Sequence, residues 1–100
     1  MKNYKLIDFK IDFDFNDLTP RGAYLDDELL IFTKFSRYVG PITLQYLENG
    51  GIQSLYNYHL IIKVNNGFLC VDELIVNGNT VSSKEFIESN KDFLINKVLF

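Results

Sequence analysis

Histidine and cysteine each occur once in this chain of 100 residues, and tryptophan does not occur at all. A single cysteine, Cys70, excludes an intramolecular disulfide. Its neighbours Phe68, Leu69 and Val71 suit a buried thiol that behaves as a small hydrophobe, at home in a reducing compartment. One histidine and one cysteine fall short of the Cys and His sets that build tetrahedral zinc sites. The run Asp12-Phe13-Asp14-Phe15-Asn16-Asp17 lacks the central glycine and distal glutamate of a calcium loop. No apolar stretch approaches the roughly 18 residues of a membrane span. The segment after Met1 alternates in charge instead of forming a secretory core, so the expected location is cytoplasmic and no membrane contact is expected. Nothing like a phosphate-cradling loop or dinucleotide fingerprint surrounds Gly50-Gly51, and no cofactor is expected.

Basic residues are few and unclustered, and a nucleic-acid surface needs clustered Lys and Arg to release counterions. Direct nucleic-acid binding is therefore disfavoured. Acidic residues, by contrast, gather at one end of the chain. Residues 1–28 hold Asp8, Asp12, Asp14, Asp17, Asp26, Asp27 and Glu28 against Lys2, Lys5, Lys10 and Arg21, an excess equal to the formal charge of −3 for the whole chain.

What is abundant is apolar and aromatic: a hydrophobic fraction of 47% with nine Phe and six Tyr argues for a packed interior and against disorder. The length suits one domain, 1–100, able to bury about two thirds of the surface its unfolded chain exposes. From Ile7 to Phe15 the odd positions read Ile, Phe, Ile, Phe, Phe and the even ones Asp, Lys, Asp, Asp. Period-two alternation predicts a half-buried strand with Asp8, Asp12 and Asp14 along one face and Ile7, Phe9, Ile11, Phe13 and Phe15 in the core. Asn16 to Gly22 supplies turn chemistry that ends it.

Beyond this turn, Ala23-Tyr24-Leu25 and Leu29 to Phe35 read as strands of a hairpin with an acidic tip at Asp26-Asp27-Glu28. Pro41 suits the start of a strand over Ile42 to Leu47, and Glu48 to Gly51 forms a turn. Tyr58–Val64 and Phe68–Val71 flank Asn65-Asn66-Gly67, a tight-hairpin signature that recurs as Asn77-Gly78-Asn79 between Glu73–Val76 and Thr80-Val81. Ser82 and Glu85 have capping-box spacing and open a C-terminal helix bearing Phe86, Ile87, Phe93, Leu94 and Val98, interrupted around Asn90. The expected class is α+β, a curved antiparallel β-sheet or small open barrel of short hairpin-connected strands with a C-terminal helix.

Candidate chemistry is thin. His59 lies in one hairpin strand and Cys70 on its partner, so a Cys/His dyad is conceivable, but the thiol has no cationic setting to form a thiolate. No catalytic residue and no metal ligand is assigned, and the expectation is a protein that is not an enzyme. The residues suited to partner binding are Asp8, Asp12, Asp14, Asp26, Asp27 and Glu28, with Tyr46, Tyr56 and Tyr58, because tyrosine offers a rigid apolar body with a polar tip.

Two resemblances bear on function. Residues 18–35 and 66–86, with Pro20-Arg21-Gly22-Ala23-Tyr24 before a strand and a closing strand, turn and Ser82-Ser83-Lys84-Glu85-Phe86, resemble the C-terminal domain of methionyl-tRNA formyltransferases. That resemblance implies an open β-barrel and a free-standing RNA-associated module, although the family module assists tRNA binding with a basic surface that this acidic chain lacks. In overall character, a small acidic chain rich in Ile, Asn, Phe and Tyr without an active site, the protein is similar to the immunity proteins of contact-dependent growth inhibition systems. This likeness implies an antitoxin-type protein that occludes the basic active-site surface of a cognate toxin, a nuclease domain, with acidic residues giving complementarity and fast association.

Overall fold

The computed structural model describes residues 3–40, 48–54, 59–90, 94 and 97–100. Among these described residues, seven strands and one helix follow one another as β1 (Lys5–Leu6), β2 (Arg21–Leu25), β3 (Glu28–Arg37), β4 (Ile52–Ser54), β5 (Leu60–Val64), β6 (Gly67–Val76), β7 (Asn79–Ser82) and α1 (Ser83–Asn90). They make one sheet, ordered β1-β2-β3-β6-β5-β4, with β7 also on β6. The expected mostly β architecture with a C-terminal helix is therefore present. The predicted strand over Ile42 to Leu47, with Tyr46, lies outside the described residues, as do Tyr56, Tyr58 and Phe93.

Turn chemistry sets the hairpins. Asn77 and Gly78 both take positive φ, 52° and 78°, as a two-residue turn of the inverted type requires, and they join β6 to β7. Asp26, at φ 54°, starts the β2–β3 turn, so Glu28 belongs to the strand and pairs with Leu25. Asn65 and Asn66 join β5 to β6, with Val64 opposite Gly67. The ten-residue β6 runs through the two short strands the sequence suggested. Its register against β3 shifts twice, first between the pairs Phe32–Leu74 and Lys34–Glu73, which skips Thr33, and then between Lys34–Glu73 and Phe35–Val71, which leaves Asp72 without a partner on β3.

The core lies on one face of this sheet. Phe32, Leu60, Ile62, Leu69, Val71 and Leu74 are fully buried there, each side chain contributing about 1.5–3 kcal/mol by leaving water. Phe86 and Ile87 of α1 cover them, together with Leu94 and Leu99. The helix starts as expected: the Glu85 N–H donates to Ser82 Oγ at 3.1 Å, and the Ser82 N–H and hydroxyl donate to Glu85 Oε1. Its described residues run to Asn90, and Val98 is not helical; it bridges to Gly51 instead.

The opening strand departs from expectation. Only Lys5–Leu6 is extended, and it pairs with β2 in parallel, an exception to the antiparallel pattern that follows from the crossing of residues 7–20 from one end of β2 to the other. Two aspartates break the alternation. Asp8 and Asp14 each accept the backbone N–H two residues on, from Lys10 and Asn16, so the chain turns where a strand would run straight, and Asp17 does the same with Thr19 in the turn expected there. The apolar positions still find the core in part. Phe13 is buried and Ile7, Phe9 and Phe15 pack against the cluster, whereas Ile11, expected inside, is 61% exposed.

Side chains, rather than a strand ladder, fasten this segment. Asn66 accepts the Phe13 N–H and donates to the Phe13 carbonyl, as a neighbouring strand would. Asn49 donates to the Phe9 carbonyl, and Asn65 to Asp12. Arg21 reaches beneath the segment, 6% exposed, and donates to the carbonyls of Asp14 and Asp17 at 3.0 and 2.7 Å. Its guanidinium lies over the Phe13 ring at 4.5 Å.

The end of the chain ties distant edges together. The Leu99 N–H donates to the Gly50 carbonyl and the Ile52 N–H to the Lys97 carbonyl, while Phe100 and Tyr24 exchange backbone hydrogen bonds. Strand pairing leaves the sheet open between β1 and β4, and residues 97–100 span the interval between β2 and Gly50–Ile52.

Candidate functional site

Two surface regions concentrate polar chemistry. The first is set by hairpin register. Because Leu30 pairs with Val76, the turn that opens β3 and the turn that closes β6 lie side by side at one end of the sheet. Between them is an open cleft of about 750 Å³, lined by Asp26, Asp27 and Glu28 on one side, Ile75, Asn77 and Gly78 on the other, with Tyr4 at its flank. Asp26 is held by Lys97, whose Nζ stands 3.3 Å from its carboxylate. Among the described residues, Asp27 and Glu28 have no ion-pair partner. Two residues along from Tyr4, Leu6 joins Ile7, Phe9, Val98 and Phe100 in a second, largely apolar cleft of about 550 Å³.

The acids of residues 8–14 do not join the acidic cleft, Asp8 lining the apolar one instead, and no strand face unites them. Asp8 and Asp14 cap turns and Asp12 accepts from Asn65, so each carboxylate orders its own segment. Asp17, in the turn expected after Phe15, is the most engaged. Its carboxyl sits well below the usual carboxylate range because the Lys5 ammonium at 2.9 Å, and then the Thr19 N–H, favour the ionised form. Tyr46, Tyr56 and Tyr58, the tyrosines suggested for partner contact, lie outside the described residues.

The second region lies on the outer face of β5 and β6. Leu60 pairs with Val71, so His59 stands opposite Asp72 one step further along, and Cys70 shares that face two residues before Asp72. His59 Nδ1 is 3.3 Å from Asp72 Oδ1, and the Cys70 thiol donates toward the same oxygen at 3.9 Å. His59 and Asp72 are exposed, while Cys70 is 9% exposed. Burial, and after it the Asp72 charge, push the thiol up to about 11, so it is protonated at neutral pH and is no ready nucleophile. The sequence pointed to His59 and Cys70 on partner strands. It did not point to Asp72, although the i, i+2 spacing from Cys70 on a strand is a signal that could have found it.

No known protein family matches this chain, and no curated protein matches it. Among the described residues no helix is long and apolar enough to cross a membrane.

Proposed function

We propose that the protein is an immunity or antitoxin-type binding module that engages a basic protein partner, a toxin of nuclease type, through the acidic end of its sheet. The observation that carries this reading is the cleft between the two hairpin turns, where Asp26, Asp27 and Glu28 line one wall and two of the three carboxylates lack a cation among the described residues. Uncompensated acids around a concave surface attract a cationic side chain and speed encounter. The apolar cleft at Leu6 and Phe100 offers the dry contact that charge alone does not supply.

The test is quantitative binding to a partner recovered from the cells that encode this chain. Affinity should fall as salt rises and should drop sharply for a D27K/E28K variant, while E88Q, at an exposed position of α1 outside the lining of both clefts, leaves it unchanged. Equal binding by D27K/E28K and the unaltered protein would remove the reading.

A second reading, an RNA-associated module like the C-terminal domain of methionyl-tRNA formyltransferases, is favoured by one observation. The two stretches that resemble that family form the β2–β3 hairpin and the continuous unit β6, β7 and α1. Retention of bulk tRNA on a filter at low salt would support it, and no retention would remove it.

A further inference from the structure

We propose that His59, Cys70 and Asp72 form a binding site for a borderline-soft divalent cation, with zinc as its representative. Imidazole nitrogen, thiolate sulfur and carboxylate oxygen are the three donor types zinc accepts, and they come here from two adjacent strands of a rigid sheet. Their ligand atoms all lie within 4.8 Å of one another. Around a tetrahedral zinc, with bonds of about 2.0–2.3 Å, ligand atoms stand roughly 3.3–3.7 Å apart. The His59–Asp72 separation of 3.3 Å already meets that spacing, and the Cys70–Asp72 separation of 3.9 Å nearly does. The remaining contraction falls to the exposed His59 side chain, which is free to turn about its own torsions.

The surroundings favour this cluster over a simple ion pair. Glu73, the next acid on β6, is taken up by Lys34 at 3.6 Å and by the Thr33 hydroxyl at 3.0 Å. Asp72 stands at the register slip with no residue of β3 opposite it, and its carboxylate meets both the imidazole and the thiol. Hard cations such as calcium or magnesium are disfavoured by nitrogen and sulfur donors. On binding, the Cys70 S–H proton leaves for solvent as the sulfur–metal bond forms, so the thiol becomes a thiolate with no change in oxidation state. Three protein ligands leave a fourth position for water on the exposed side.

The experiment uses the full chain, reduced with a phosphine, titrated with cobalt(II) as a spectroscopic probe and then with zinc. One equivalent of cobalt should give a thiolate-to-metal charge-transfer band in the near ultraviolet and intense visible bands of a four-coordinate ion, both abolished by one equivalent of zinc. C70S should lose the charge-transfer band. H59A and D72N, at exposed positions that leave the sheet intact by circular dichroism, should each weaken zinc binding by roughly tenfold or more. Absence of the charge-transfer band overturns the proposal, as does zinc affinity unchanged in both H59A and D72N. Should C70S fail to fold, the two exposed variants carry the decision alone.

Discussion

The backbones of Tyr24 and Phe100 exchange two hydrogen bonds, the Tyr24 N–H to the Phe100 carbonyl at 2.6 Å and the Phe100 N–H to the Tyr24 carbonyl at 2.9 Å. Residues 76 positions apart thus form one rung of a ladder. Between them and the core stands Leu99, 1% exposed, whose own N–H reaches Gly50. Leu99→Ala should cost about 2–4 kcal/mol from lost burial and the cavity left behind, measured by denaturant unfolding. Hydrogen exchange at the amides of Tyr24 and Ile52 should accelerate in the same variant, and unaltered protection there would refute the bridging role of the chain end.

Glycines at two turns should respond differently to a methyl group. Gly50 has φ of 93°, and a Cβ there would collide with the Leu99 carbonyl, which is backbone and cannot swing aside. Gly78 has φ of 78° but open space around it. Gly78→Ala should cost only the conformational strain, about 1 kcal/mol, and Gly50→Ala at least twice that. Comparable unfolding midpoints for the two variants would contradict the crowding at Gly50.

Arg21 anchors the segment before β2: one guanidinium nitrogen, Nη2, donates to two carbonyls while the planar group lies over the Phe13 ring, a combination that a lysine ammonium does not reproduce. Arg21→Lys should lower stability by about 1–3 kcal/mol. Limited proteolysis should cut residues 7–20 faster in this variant than in the parent, while cleavage elsewhere stays slow.

Acid should expose the contribution of Asp17. Its folded-state carboxyl is depressed, chiefly by Lys5, so folding favours the ionised form. The resulting stability is complete above about pH 5, a unit beyond the unfolded value of about 3.9, and fades as pH falls below that value. Asp17→Asn should therefore be less stable than the parent at neutral pH, with the gap narrowing in acid. High salt should narrow it too, since Lys5 is largely exposed. A gap constant from neutral pH into acid would show that the charge of Asp17 is not what matters.

Hairpins were legible in the sequence because their signals are local. Asn77-Gly78, Asn65-Asn66-Gly67 and the Ser82/Glu85 cap act within a few residues, and all three form where expected. The stretch from Ile7 to Phe15 was misread because two local signals conflict there. Alternation favoured a strand, but Asp8 and Asp14 bond to their own backbone, and what stabilises the result lies some 40–53 positions away in Asn49, Asn65 and Asn66. No window of sequence contains both partners. The metal-type cluster was half visible for a similar reason. His59 and Cys70 stood out by rarity, whereas Asp72 gains meaning only from the register of β5 on β6 and the slip of β6 on β3.

The outer side of β2 carries a consequence for how any partner can attach. The Gly22 carbonyl is taken by Ile7, and both backbone groups of Tyr24 are taken by Phe100, so that side of the strand has no vacant rung at either position. On the far side of the sheet, Ile52 donates to Lys97 and Gly51 bridges to Val98. A peptide therefore cannot extend the sheet there by strand addition, and the same occupancy discourages edge-to-edge self-association. Recognition at these borders must be written in side chains rather than in main-chain pairing.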